Sequence, residues 1–204
     1  MGRTLAYFAH EPELRVGAVG LGVGTLARYV RPGQHLTFYE INPAVVSFAE
    51  RYFTYLARCG AACDLLLGDA RLSLERQDAQ RLHVLVLDAF SGDAVPAHLL
   101  TREALDVYRK HLRADGVIAV NITNRKLDLA PVLQGLAEYG GFTAVRVFSP
   151  DDAPAQLFHA DWMLLSQNQR FLAATPPVPP PDAPEPKRPI LWTDSFSNLF
   201  HLLK

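Results

Sequence analysis

An excess of charge is the first thing missing: 20 Lys and Arg stand against 21 Asp and Glu, a formal net charge of -1. That balance lacks the basic footprint of a nucleic-acid binder. No apolar run approaches the roughly 18 residues needed to span a bilayer, and the first residues lack a signal-peptide pattern. The expectation is a soluble, cytoplasmic protein. Cysteine is scarce as well. Cys59 and Cys63 are the only two, and C-x3-C without histidines at ligand spacing makes a poor metal site. Both are expected as reduced thiols, one or both packed, and no metal is expected. What remains is an ordinary 204-residue chain with 49% hydrophobic residues, enough for one well-buried α/β domain.

The stretch Val16 to Gly24, VGAVGLGVG, organises the rest. It starts apolar and β-prone, then places Gly20, Gly22 and Gly24 at alternate positions before Thr25-Leu-Ala-Arg-Tyr-Val, which reads as a helix. Strand, tight turn and helix start let backbone approach a ligand closely. The next strand, His35 to Tyr39, ends in Glu40, where a carboxylate can accept both hydroxyls of a ribose. The third glycine comes one residue too early for a dinucleotide fingerprint, with Thr25 in its place. The spacing favours the G-x-G-x-G turn associated with S-adenosyl ligands; glycines that only permit tight packing are the plain alternative.

Further along, Asn42-Pro43 starts a helix through Tyr55, with Val45, Phe48, Ala49, Tyr52 and Phe53 as its expected buried stripe. A third strand, Cys63 to Leu67, leads to Asp69, which can accept from an adenine amino group, cap the helix from Ala70 to Arg76, or do both. Leu82 to Leu87 is the most continuously apolar strand and is placed centrally. It ends in Asp88, followed by a loop with Asp93 and His98 before a helix near Thr101 to Leu112. Asp88 sits where ligands of open parallel sheets bind; His98 reads as an exposed loop residue. A turn at Asp115-Gly116, a strand from Val117, a helix from Leu127 to Tyr139, and strands at Phe142 to Phe148 and Asp161 to Ser166 complete the alternation. The fold class is α/β, a mainly parallel seven-stranded sheet with helices on both faces. The expected division is an arm (1–15), a Rossmann-like nucleoside-binding catalytic domain (16–174), a linker (175–189) and a docking segment (190–204). Eight prolines between Pro176 and Pro189 make the linker extended. The last segment is too apolar for a free tail and should dock on the domain or on a partner, either as a plug over a helix face or with Trp192 and Asp194 near the acceptor side.

VGAVGLGVG, FYEINP, LLLGDARLSLE and LVLDAFSGDAVPAHLLTREAL together resemble the spermidine synthase family of aminopropyltransferases, nearest to the spermidine synthase-like domains found alone or fused to transporter segments. LWTDSFSNLF near the end also looks like that subgroup. The resemblance implies the fold of S-adenosylmethionine-dependent methyltransferases. It also implies a nucleoside site made of Gly20, Gly22, Gly24, Glu40, Ile41, Asp69, Ala70 and Asp88. Within it Glu40 would bind the ribose and Asp69 the adenine, with Asp88 as general base and Asp93 as the second aspartate of the family's D-S-S-D-P-type loop, here five residues on rather than three. Decarboxylated S-adenosylmethionine would be the co-substrate, putrescine or another amine the acceptor, and a homodimer a possible assembly.

Two departures keep other readings open. Val23 stands where the family's turn carries the aspartate that receives the aminopropyl amine, and Ala18 stands where methyltransferases often carry an acid. The family's N-terminal β-rich domain, which supplies part of the polyamine pocket, is expected to be missing, since the sequence gives only a short arm before Val16. A methyltransferase using intact S-adenosylmethionine and a non-catalytic nucleoside-binding domain are the alternatives.

Overall fold

The computed structural model describes residues 1–59, 62–89, 96–155, 157–181, 183, 185 and 187–204. They form two compact units, Met1–Ala89 with Val107–Gly116, and Phe90–Asp106 with Val117–Lys204. Strand hydrogen bonding among the described residues runs in the order β3 (Cys63–Leu67), β2 (His35–Glu40), β1 (Arg15–Val19), β4 (Leu82–Leu87), β5 (Leu112–Asn121), β7 (Ala160–Ser166), β6 (Thr143–Ser149).

In the first unit, β1 (Arg15–Val19) lies between β2 (His35–Glu40) and β4 (Leu82–Leu87), and β2 carries β3 (Cys63–Leu67) on its other side. All these pairings are parallel. Every residue of β4 is buried, as its unbroken apolar run requires of a strand covered on both faces. Val84, Leu85 and Val86 have no exposed surface, and such burial contributes ~1.5–3 kcal/mol for each side chain. The register sets Val19 opposite both Tyr39 and Leu87, and Glu40 opposite Leu67, so the four strands end on one edge.

Around them run α1 (Gly2–Tyr7), α2 (Pro43–Tyr52), α3 (Tyr55–Cys59) and α4 (Ala70–Arg76). Asn42 caps α2, its Oδ1 accepting from the Ala44 N–H at 2.9 Å, with Pro43 in the first turn. The expected buried stripe of α2 is corrected: Ala49 is buried, but Phe48 is 50% and Tyr52 61% exposed. Its aromatics pack on one another instead of on the sheet, with Phe48 4.9 Å from Tyr52 and 5.8 Å from Phe53, ring to ring. The expected reduced thiols are corrected too. α3 ends where β3 begins, which brings the Cα atoms of Cys59 and Cys63 to 5.7 Å, and the two form a disulfide. The helix expected after the glycines is a single 3-10 turn, Thr25–Tyr29. Arg31-Pro32 follows at once, and a residue before proline is driven out of helical geometry.

The second unit contains the first half of α5 (Arg102–His111), up to Asp106, the last half of β5 (Leu112–Asn121), α6 (Ala130–Gly140), β6 (Thr143–Ser149), β7 (Ala160–Ser166) and α7 (Gln169–Ala174). β5 begins before the turn expected at Asp115-Gly116 and runs through it. β7 is antiparallel to β5 and to β6. α6 starts later than the pattern suggested because Asn124 first folds the chain: its Oδ1 accepts from Lys126 N–H at 2.9 Å and Leu127 N–H at 2.8 Å, and Asp128 then accepts from Ala130 N–H at 3.2 Å. The proline-rich segment is clipped to the outer edge of β6, where Val178 exchanges hydrogen bonds with Phe148 N–H at 2.6 Å and the Arg146 carbonyl at 2.8 Å. Flanking prolines give no further donors there, a way of closing a sheet edge.

The last segment docks. Ile190 N–H donates to the Pro131 carbonyl at 2.9 Å, and a Cβ on Gly135 would strike the Ile190 carbonyl, so α6 receives this strand of chain only because residue 135 lacks a side chain. Trp192 is fully buried, and its carbonyl accepts from the Arg102 N–H at 2.9 Å. Asp194 is held on the same helix start, accepting from the Thr101 hydroxyl at 2.8 Å and donating its N–H to Glu103 at 3.0 Å.

Candidate nucleoside-binding site

The edge where β1 to β4 end is continued by three backbone hydrogen bonds beyond the strands. Asp88 N–H donates to the Val19 carbonyl at 2.9 Å, Gly20 N–H to the Tyr39 carbonyl at 2.9 Å, and Gly68 N–H to the Glu40 carbonyl at 2.8 Å. Parallel strands are spaced ~4.8 Å apart, so Asp88 and the Gly68-Asp69 turn are set about 14 Å apart with Gly20 and Glu40 between them. Of the residues assigned to the site from sequence, Gly20, Glu40, Asp69 and Asp88 stand at this edge, all within the first unit.

The glycine turn is shaped by contact and by conformation. A Cβ on Gly20 would run into the Asp88 carbonyl, which makes residue 20 the contact between the turn and β4. Gly22, at φ +55°, has nothing within 4 Å of where a Cβ would stand, so that side of the turn is open. Glu40 is only 8% exposed. Its Oε2 accepts from the Leu21 N–H at 3.0 Å and its Oε1 from the Asn42 N–H at 2.9 Å. Each carboxylate oxygen has a second lone pair, so Glu40 can hold the turn and still accept a vicinal pair of hydroxyls. Ile41, beside it, is 68% exposed, an apolar surface for a base. Asp69 caps α4, accepting from Leu72 N–H at 2.9 Å, and Ala70 is buried beneath it. Asp88 is exposed at the end of β4. Asp93 lies outside the described residues. Tyr39 is excluded as a base: burial pushes its phenol up to about 12, and its hydroxyl donates to Gln77 at 2.9 Å.

Among the described residues no group of His, Cys, Asp or Glu is placed to hold a metal ion, and no helix is long and apolar enough to cross a membrane. The sequence pattern missed the double duty of Glu40. The signal was available, since an acid at a strand end one turn from a glycine loop can reach that loop's own N–H groups as well as a ligand.

No protein-family model matches the chain. The polyamine aminopropyltransferase of Vibrio vulnificus is 34% identical over 119 residues, which cover 56% of this chain and 39% of that protein. A probable spermidine synthase from Corynebacterium glutamicum superposes with a TM-score of 0.63 at 22% identity, over 81% of this chain and 60% of that one. Human methyltransferase-like protein 13 in complex with SAH superposes with a TM-score of 0.61 at 16% identity, over 80% and 79%. The fold is therefore that of the S-adenosylmethionine-dependent methyltransferases. Within that class the chain is similar to the polyamine aminopropyltransferase and to the probable spermidine synthase, and it spans less than two thirds of the length of each.

Proposed function

We propose that this chain is a transferase acting on an S-adenosyl ligand, and that it moves an aminopropyl group from decarboxylated S-adenosylmethionine to putrescine or another small amine. The reading rests above all on the hydrogen-bonded row Asp88, Gly20, Glu40, Gly68 at one strand edge. Adenine lies against Ile41 and Asp69, the ribose hydroxyls are accepted by Glu40, and the sulfonium passes the glycine turn toward Asp88. The relatives support the class of ligand: one is a polyamine aminopropyltransferase, and a structural neighbour is in complex with SAH.

An acceptor amine with a pKa of about 10 is protonated at neutral pH and has no lone pair to offer. Asp88, exposed at the end of β4, takes one proton from the ammonium. The freed nitrogen attacks the propyl carbon bonded to sulfur, the carbon–sulfur bond breaks, and its electron pair stays on sulfur, leaving neutral 5′-methylthioadenosine. Holding the nucleoside at Glu40 and Asp69 aligns nitrogen, carbon and sulfur for this displacement. Val23 adds no charge beside the aminopropyl chain, so the amine end of the donor is held less firmly than the nucleoside.

Asp88→Asn tests the assignment. It should lower 5′-methylthioadenosine formation by a factor of ~10² to 10⁴, the usual range for a lost general base, and leave binding of 5′-methylthioadenosine within about twofold. Unchanged turnover would overturn the role. Methyl transfer is the second reading, favoured by the SAH-bound neighbour. Tighter binding of S-adenosylhomocysteine than of 5′-methylthioadenosine would move the assignment there.

A further inference from the structure

The amino-terminal ends of the same strands carry a second concavity, a cleft of about 680 Å³ on the side of the first unit away from Asp88 and Glu40. The register sets Arg15 opposite His35 and Leu36 opposite Cys63, so Arg15, His35 and Ala62 stand in a row where β1, β2 and β3 begin. Arg31, in the loop before β2, and Arg58, near the end of α3, line the same cleft.

Three arginines make this wall cationic. No carboxylate among the described residues lies within ion-pair distance of Arg15, Arg31 or Arg58. The acid on the neighbouring strand, Asp64, is taken by His35 Nε2 at 2.9 Å. Glu11 is turned away toward His10 at 3.3 Å and His83 at 4.0 Å.

The cleft is also held in shape from two sides. Gln34, 6% exposed, accepts from the Arg31 N–H at 3.0 Å and donates to the carbonyls of Glu11 at 2.9 Å and Ala9 at 3.3 Å, which fixes the loop bearing Arg31. The Cys59–Cys63 disulfide ties the end of α3, next to Arg58, to the first residue of β3. Val30, Pro32 and Ala62 line the same cleft and give it an apolar part.

We propose that this cleft binds a phosphorylated small molecule of nucleotide size, with Arg15, Arg31 and Arg58 on its phosphates. Guanidinium groups match phosphate oxygens two by two, and the volume falls in the ordinary range for small-molecule sites, about 300–1,000 Å³. The site lies at the opposite strand ends from the nucleoside edge, so it stands whether or not the chain transfers aminopropyl groups. Its occupant acts as an effector or second ligand, and polyanionic chemistry distinguishes it from the cationic amine and sulfonium expected at the other edge.

Calorimetric titration of the whole chain with ATP and with pyrophosphate tests this, with saturating 5′-methylthioadenosine present to occupy the nucleoside edge. Both probes should bind, ATP more tightly. Arg31→Ala and Arg58→Ala should each weaken both about tenfold, the loss expected for one hydrogen bond to a charged group. Because these side chains are exposed, the variants should keep the circular dichroism and melting temperature of the parent. The proposal is overturned if neither probe binds, if binding survives both substitutions together, or if ATP binds only when 5′-methylthioadenosine is left out.

Discussion

The carboxylate of Glu40 accepts a hydrogen bond from the backbone N–H of Leu21 at 3.0 Å, so the end of β2 holds the glycine turn that follows β1. Glu40→Gln replaces one acceptor oxygen with an amide nitrogen, and either Leu21 or Asn42 then faces a donor. The expected cost is about 1–3 kcal/mol for a buried N–H left unpaired, together with at least about tenfold weaker binding of 5′-methylthioadenosine. Denaturant melts and calorimetry on the same preparation separate the two. A variant as stable as the parent would mean that the turn holds itself.

The indole of Trp192 is fully buried, and its Nε1 has no hydrogen-bond partner among the described residues. Trp192→Phe therefore loses no hydrogen bond and should be mild. Trp192→Ala should cost about 3–5 kcal/mol through the cavity it opens. Comparing the two melting temperatures decides whether the C-terminal segment is held by packing, as the geometry says, or by a polar contact.

Two buried histidines give the first unit a pH dependence. His111 is fully buried; its Nε2 lies 2.8 Å from the Leu74 carbonyl and its Nδ1 accepts from Gln80 N–H at 3.3 Å. His83, 4% exposed, accepts from Arg15 N–H at 3.1 Å. Burial lowers the pKa of both, with Arg113 adding to the effect at His83 and Lys110 at His111. The folded state thus prefers neutral imidazole while the unfolded chain takes up protons below about 6.5. Their contribution to stability is full above that value and is lost as pH falls through the lowered folded values. Thermal melts from about pH 7.5 down to about pH 5 should show the decline beginning near 6.5, and His111→Gln should flatten it.

Motifs that combine residue type with a strand end were legible in the sequence. β4 reads as LHVLVL and is bounded as expected, and Gly20, Glu40, Asp69 and Asp88 fall on one edge because each follows an apolar run that can only be a strand. What the pattern concealed depends on partners distant in the chain. The face of α2 is apolar at helical spacing whether it covers a sheet or packs its aromatics on each other, and only the fold decides which. Cys59 and Cys63 become a bridge because α3 ends at the start of β3. The basic cleft was invisible because its arginines are 16 and 27 residues apart and meet only through the parallel register of β1, β2 and β3.

The placement of β7 between β5 and β6 imposes an order on synthesis. As the chain leaves the ribosome, β5 and then β6 emerge, yet the sides of both that β7 will occupy stay unpaired until Ala160 to Ser166 arrives to fill the gap. Until then the fully buried edge of β5, Val117 to Val120, is an open template for any other extended chain. The nascent protein is therefore most exposed to misassociation in that interval, and a ribosome pausing just before Trp162 and Met163 would prolong it.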